Sequence, residues 1–448
     1  MKYKAVIGLE VHVELKTNSK MFCACSAEYF GQKPNTHTCP VCLGLPGALP
    51  VPNKTAIEWC VMLGMALGCD IPQFSKFDRK NYFYPDLPKG YQISQYDKPF
   101  CVNGNITLQN GKRIGITRVH MEEDTAKLTH QFGTQNSKFK IQKDENYSLI
   151  DFNRSGVPLV EIVTEPDFDN AKDVIDYLKK LQQIVRYLGV SNADMEKGDM
   201  RLEPNISLRK NAEKELPKYK VEVKNINSFS FVEKAINYEI KRQTEVLEKK
   251  GTPVQETRGW NQAKQKTVTQ RVKEEASDYR YFPEPDIPPI RWTKSQISNL
   301  KSQIGELPEE KFKRFERDYV LSNYDAEILT RGIALADYFE EAVDLGKKHG
   351  LSAKQVANQI INKKVDTYKI LPAQLILEII KLTAKEDIDR DELRKIVKEV
   401  LEKNPKIRND YKAGKKNVLQ FAIGQVLSTV GKKIDTKELV KIIMEELR

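Results

Sequence analysis

No run in this 448-residue chain approaches the roughly 18 apolar residues that a membrane-spanning helix needs, so no such span is expected. Met1–Glu10 enters strand-like alternation at once, without the apolar core of a signal peptide, and the expected location is the cytoplasm. Histidine is scarce, at 5. Cysteine, at 7, is odd in number, which argues against a disulfide framework and for metal ligation plus ordinary buried thiols. There is no G-x-x-x-x-G-K-[ST] loop, no G-x-G-x-x-G turn and no G-x-S-x-G elbow. With no evident covalent nucleophile, any chemistry must rest on metal, phosphate binding and positioning. Repeats and low-complexity tracts are also missing.

What is present begins with charge. The net charge is +11 and the pI about 9.0, which suits a polyanionic partner, the alternative being a lysine-rich surface of the thermophile kind. Hydrophobic residues make up 40% and charged residues 30%, a balance typical of folded soluble chains. The length suffices for two to four domains.

The first 292 residues alternate strand and helix patterns. Ile7, Leu9, Val11, Val13 and Leu15 share one face of an N-terminal strand, with Glu10, His12 and Glu14 on the other. Further strands are expected at 114–121, 148–153, 159–164 and 218–223, and helices at 170–188 and 231–249. The fold class is therefore α+β, with a large, mostly antiparallel sheet. Four prolines within Tyr281–Ile290 mark a boundary. Residues 293–405 read as an all-α domain, with Leu375, Ile376, Ile379 and Leu382 on one stripe. Pro405 then opens a small helical tail at 406–448. Residues 401–448 carry 11 Lys/Arg against 6 Asp/Glu, a local excess of positive charge.

Cys23-x-Cys25 and Cys39-x-x-Cys42 have the paired spacing of a tetrahedral zinc site, and a closed set of four thiolates would be structural. The alternative is four unligated buried thiols. Cys60, Cys69 and Cys101 have apolar neighbours and read as core.

Three segments place carboxylates where strands should be apolar. Glu161 sits inside Val157–Val163, where an unpaired charge is costly and a cation or metal partner is expected. Glu10 and His12 lie on the N-terminal strand, and a third strand ends in Glu122, Glu123 and Asp124. Converging acids with one imidazole suit Mg²⁺ beside nucleotide phosphates. Period-two alternation groups His120, Glu122 and Asp124 and sets Glu123 with Val119 and Met121, and it does not choose among the three acids. The plain reading of Glu10, His12 and Glu14 is a solvated sheet face.

The 21-residue stretch Ser75–Gln95 interleaves Lys76, Arg79, Lys80 and Lys89 with Phe77, Tyr82, Phe83, Tyr84 and Tyr91. Cations contact phosphates and rings stack on bases. The alternative is an ordinary aromatic-rich loop.

At these residues the chain resembles, over its full length, the B subunit of the aspartyl/glutamyl-tRNA amidotransferases, the GatB family. The segments that carry this are Val6–Val13, Cys39–Gly47, Ser75–Gln95, Gly115–Asp124, Asp151–Pro158, Val223–Phe229 and Asp278–Asp286, with Asp410–Asn417 like the family's YqeY-like tail. The resemblance implies a cradle-like catalytic domain in which ATP and Mg²⁺ phosphorylate the side-chain carboxylate of Glu-tRNA(Gln) or Asp-tRNA(Asn). Ammonia then displaces the acyl phosphate. It implies an amidase-type GatA protein as the ammonia source and a small GatC protein, in a heterotrimer. Carried over residue by residue, it makes Glu10, His12, Glu123 and Glu161 the magnesium shell. Lys76, Arg79, Lys80, Asn81, Lys224 and Asn225 become nucleotide or acyl-acceptor contacts, and Cys23, Cys25, Cys39 and Cys42 ligate structural Zn²⁺. The segment Arg201–Ser207 departs from the family's pattern at Glu203 and Pro204. Glu203 could replace the pattern's Asp as an outer-shell acid, but Pro204 alters the backbone, and the segment is left out of the site. Two other readings compete: a non-catalytic tRNA-binding scaffold, which has no use for buried acids, and an amide ligase for small molecules, which has no use for a basic tail.

Overall fold

The computed structural model describes residues 2–131, 147–272, 279–383, 389–412, 417–430 and 436–447. The tail's Gly414–Lys416 turn and Asp278 lie outside the described residues. The chain divides into two compact units, residues 1–311 and 312–448.

In the first unit the strands are Tyr3–Glu14 (β1), Phe74–Ser75 (β2), Asp78–Asn81 (β3), Tyr91–Ser94 (β4), Cys101–Thr107 (β5), Arg113–Glu123 (β6), Lys127–Gln131 (β7), Tyr147–Asp151 (β8), Pro158–Thr164 (β9), Met200–Lys210 (β10), Val221–Lys224 (β11), Glu256–Asn261 (β12), Lys266–Val272 (β13), Phe282–Pro283 (β14) and Ile290–Arg291 (β15). Helices Lys54–Ala66 (α1), Ala171–Tyr187 (α2), Phe229–Glu248 (α3) and Lys294–Gln303 (α4) complete it. Asn53, Asn170 and Ser228 start the first three by accepting a hydrogen bond from a first-turn backbone N–H.

Eight strands form one sheet in the order β13-β12-β11-β10-β1-β9-β6-β5. Every pairing is antiparallel except β11 with β12, whose parallel register requires the crossover that α3 supplies. The expected α+β class with a large, mostly antiparallel sheet is what is found. Alternation then divides the sheet. Ile7, Leu9, Val11 and Val13 of β1, Val119 and Met121 of β6, and Val160 and Ile162 of β9 form one buried cluster with Ile57, Val61 and Leu63 of α1, Leu178 and Leu181 of α2, and Val232 and Ile236 of α3. The opposite face carries the acids. The strand expected at 148–153 belongs instead to a separate hairpin, β7–β8. A small sheet β14-β3-β4 packs at the end of β6, bringing the proline-rich segment back onto Asp78 and Arg79.

The second unit is helical: most of Pro308–Asp318 (α5), then Asn323–Leu329 (α6), Ile333–Lys347 (α7), Ala353–Asn362 (α8), Pro372–Thr383 (α9), Arg390–Lys403 (α10), Pro405–Lys412 (α11), Asn417–Val430 (α12) and Thr436–Leu447 (α13). Proline opens α5, α9 and α11, where its missing N–H has no partner to lose. Two apolar clusters hold this unit. One gathers Phe315, Leu329, Phe339, Val343, Val356, Leu375, Ile376 and Ile379; Leu382, expected on the same stripe, is 52% exposed. The other joins Leu393, Val397 and Leu401 of α10 to Ala422, Val426, Leu439 and Ile442 of α12 and α13, so its packing runs across Pro405. No helix among the described residues is long and apolar enough to cross a membrane.

Candidate active site

The polar face of the large sheet is built by register. His12 on β1 pairs with Glu161 on β9, Glu161 pairs with His120 on β6, and Arg201 on β10 pairs with His12 from the other side. Four strands thus set Arg201, His12, Glu161 and His120 in one row. His12 Nε2 lies 3.4 Å from Glu161 Oε2, and His120 Nε2 lies 3.6 Å from the same oxygen and 3.5 Å from Glu122 Oε1. The ligand atoms of His12, Glu122 and Glu161 all lie within 4.8 Å of one another, and among the described residues His12 Nδ1 has no hydrogen-bond partner. Two carboxylates and an imidazole converging this closely fit a divalent cation of the Mg²⁺ class. One row away, Glu10, Glu203 and Glu222 form a second such group.

Electrostatics tie these residues together. Burial alone would raise Glu161, but His120 and His12 hold it at about 2. Burial likewise opposes ionisation of Glu122, and Lys80 with His120 keeps it well below the carboxylate range. Burial would lower the imidazole of His12, yet the Glu161 hydrogen bond and charge raise it to about 9. Glu10 is pushed up, first by burial and then by Glu161, Glu203 and Glu222. Glu161 and Glu122 thus lean on histidine and lysine.

Glu123, the acid that the resemblance prefers, points elsewhere. Its carboxylate takes Lys89 Nζ at 2.6 Å and the Ile93 backbone N–H at 2.9 Å. Its neighbour Glu122 is bound by Ser94 Oγ at 2.7 Å, Gln92 Nε2 at 3.0 Å and Lys80 Nζ at 3.5 Å. Past a bulge at Ile116–Arg118 the alternation of β6 is maintained to its end, which is why adjacent acids part company.

The aromatic-basic stretch is similarly divided. Lys76 is held by Asp78 and by Asp97 at 2.7 Å. Arg79 makes a two-pronged bond to Glu284, at 2.7 and 2.9 Å, and stacks 4.3 Å above Tyr91. Asn81 donates to Arg280 O at 2.8 Å. These three fasten β3 to its neighbours. Lys80 alone of this group reaches the acid face, where burial opposes its charge and Glu122 and Glu161 sustain it. From β11, Lys224 meets Glu203 at 3.0 Å and Glu222 at 3.5 Å, and Asn225 follows in a left-handed turn at φ 61°.

Sequence reasoning set β10 aside on account of its proline. Proline at 204 leaves the strand unbroken: β10 runs from Met200 to Lys210, and Pro204 sits opposite Leu9. The Leu9 N–H goes to Thr164 on the β9 side. In an antiparallel pair Pro204 therefore turns its missing donor away from β1, toward β11, whose register with β10 covers only Asn205 and Ile206. Arg201, Glu203 and Asn205 thus join the polar face. Arg201 binds Asp124 at 2.7 Å, and Asn205 Nδ2 donates to Glu10 at 3.0 Å. Counting in twos from Arg201 would have revealed them.

The four paired cysteines converge, their sulfurs all within 4.8 Å, with Cys39 and Cys42 Sγ 3.9 Å apart. Zinc–thiolate bonds of about 2.3 Å imply sulfurs about 3.8 Å apart, so the set fits a tetrahedral ion. Beneath it Lys20 is fully buried, donating to His37 O at 2.7 Å and Phe152 O at 3.4 Å, with Cys42 Sγ at 3.7 Å. Cys60 and Cys101 are buried core thiols, and Cys69 packs at the core's edge.

The chain matches the family model described as the GatB/GatE catalytic domain over residues 5–298, and one described as a GatB domain over residues 327–447. It is also similar to proteins named as the B subunit of aspartyl/glutamyl-tRNA(Asn/Gln) amidotransferase. Identity is 45% with that of Caldanaerobacter subterraneus subsp. tengcongensis and 44% with that of Persephonella marina, over 100% of both chains in each case. With that of Thermosipho melanesiensis it is 45%, over 99% of this chain and 98% of the relative. Identity of this order from end to end, with a catalytic-domain model covering more than half of the chain, establishes that this protein belongs to the GatB family.

Proposed function

We propose that this chain is the GatB component of a tRNA-dependent amidotransferase, and that its sheet face carries out the ATP-dependent step. The carboxylate of a glutamate or aspartate esterified to tRNA attacks the terminal phosphorus of ATP and releases ADP. Ammonia then attacks the acyl carbon and phosphate leaves, giving the amide. The observation that carries this reading is the row His12–Glu161–His120 with Glu122, built into mid-sheet in a chain whose full-length relatives bear that enzyme's name.

His12, Glu122 and Glu161 would hold Mg²⁺, with Glu10, Glu203 and Glu222 beside them. A bound Mg²⁺ would neutralise charge on the transferring phosphoryl group. Lys80 and Lys224 stand at the margins of the acids, placed to receive phosphate or acyl oxygens. Glu123 serves as the partner of Lys89 rather than as a ligand. We assign Zn²⁺ to the four-cysteine knuckle as a structural ion. GatA and GatC proteins complete a cytoplasmic heterotrimer, GatA supplying ammonia, and the basic helical tail from residue 406 contributes to tRNA binding.

The test is phosphate release from γ-labelled ATP by this chain assembled with its GatA and GatC partners, with and without mischarged tRNA. Release that depends on Glu-tRNA(Gln) or Asp-tRNA(Asn) is expected. Binding of tRNA without any such release would favour the scaffold.

A further inference from the structure

Four of the cations at the acid face are matched to carboxylates. Lys80 reaches Glu122, Lys224 reaches Glu203 and Glu222, and Arg201 and Arg154 both approach Asp124. Arg118 differs. Among the described residues it has no carboxylate within ion-pair distance, although it lies on β6 two residues before His120 and on the same face. Its inner nitrogen, Nε, donates to His120 Nδ1 at 3.4 Å. That long bond orients the guanidinium toward His120 and fits a His120 whose other nitrogen faces Glu161 and Glu122. Among the described residues the two outer nitrogens have no protein partner, in a half-buried side chain.

Position adds a second argument. Along β6 the face presents Arg118, His120 and Glu122 in order, about 7 Å per pair of residues. Lys80 occupies the Glu122 end and Arg118 the other, so the acids that fit a metal have a cation on each side. A guanidinium held by Nε keeps a parallel N–H fork, which matches two oxygens of one phosphate better than an ammonium does.

We propose that Arg118 binds a terminal phosphate of the nucleoside triphosphate, opposite Lys80 across the His120–Glu161 row. This rests on the ATP-dependent reading of the same face. Arg118 is oriented by His120 and takes up the charge that the acids would otherwise repel.

Titration calorimetry of ATP and of ADP into the assembled complex, with wild type, R118Q and R118K, tests it, alongside the thermal midpoint of each protein. R118Q should weaken ATP roughly tenfold to a hundredfold. ADP should weaken less, and the midpoint should stay within a degree or two. R118K should recover part of the ATP affinity, since it restores charge without the fork. Unchanged ATP affinity in R118Q overturns the assignment. So does equal weakening of both nucleotides with a lowered midpoint and no recovery in R118K, which marks a structural arginine. A wild-type complex that binds no ATP overturns the ATP-dependent reading first, and this inference with it.

Discussion

His12 and Glu161 face each other across β1 and β9 with 3.4 Å between Nε2 and Oε2, and His120 closes on the same carboxylate oxygen from β6 at 3.6 Å. One carboxylate therefore anchors two imidazoles. Replacing Glu161 by glutamine keeps the shape and removes the charge. Phosphate release by the assembled enzyme should drop by roughly two orders of magnitude. Affinity for tRNA, read by filter binding, should change less than twofold. Wild-type turnover in E161Q would make the residue structural.

The same pair predicts a pH response. The folded value for His12, about 9, lies above its ordinary 6.5. Its contribution to the metal-free fold is then complete below about pH 6.5 and disappears as pH rises through about 9. The thermal midpoint of chelator-treated protein should fall across that window. Binding of a divalent cation needs the neutral ring, so Mn²⁺ affinity should climb over the same range. A flat midpoint together with pH-independent Mn²⁺ binding would show that Glu161 does not hold the proton on His12.

At the knuckle, Cys39→Ser should lower bound zinc, measured by atomic absorption, and lower the midpoint without selectively abolishing phosphate release at permissive temperature. Lys20→Met fills the same volume but strands the carbonyls of His37 and Phe152, at a cost of about 2–3 kcal/mol. Wild-type protein free of zinc would reduce the four thiols to packing.

Two glycines make a controlled pair. A Cβ on Gly64 would lie 2.2 Å from Cys101 Sγ and 2.7 Å from its Cβ, whereas one on Gly424 meets nothing within 4 Å among the described residues. Gly64→Ala should destabilise by about 1–3 kcal/mol. Gly424→Ala, inside α12, should stabilise by about 0.5–1 kcal/mol. Denaturant melts that rank the two the other way would refute the packing of α1 on β5.

For the tail, the position of the cut matters. Ending the chain at residue 405 strips Leu393, Val397 and Leu401 of their partners, while ending it at residue 383 removes the whole cluster. The shorter protein should stay soluble, bind tRNA more weakly with a shallower salt dependence, and retain turnover at saturating tRNA in the complex. An unchanged Kd at every salt concentration would leave the tail with no part in binding.

The sheet was legible because β1 alternates cleanly and β6 does so on either side of a bulge at Ile116–Arg118, and Glu161 was legible because it interrupts an apolar strand. The choice between Glu122 and Glu123 was not. Parity named the group that Glu122 joins, but where each carboxylate goes depends on Lys80, Ser94, Lys89 and Ile93, which reach β6 from roughly 30 to 40 residues away in sequence. Arg79 shows the same limit from the other side. Its sequence context suits phosphate, while the acids that neutralise it, Glu284 and Asp286, lie about 200 residues further on. Arg201, Glu203 and Asn205 were lost to a rule about proline that holds only when the absent donor faces a ladder partner.

The row Arg201, His12, Glu161 and His120 comes from four adjacent strands near the middle of the large sheet. Its spacing is therefore a ruler graduated by the backbone ladder, with divisions near ~4.8 Å that no loop movement can stretch. On the proposed reading of this face, adjustment for a longer or shorter acyl side chain, glutamyl against aspartyl, falls to the rims of the ruler, where Lys80 on β3 and Lys224 at the end of β11 stand. Divergence in substrate preference within the family should then be sought in those rims, while the ruler itself stays fixed.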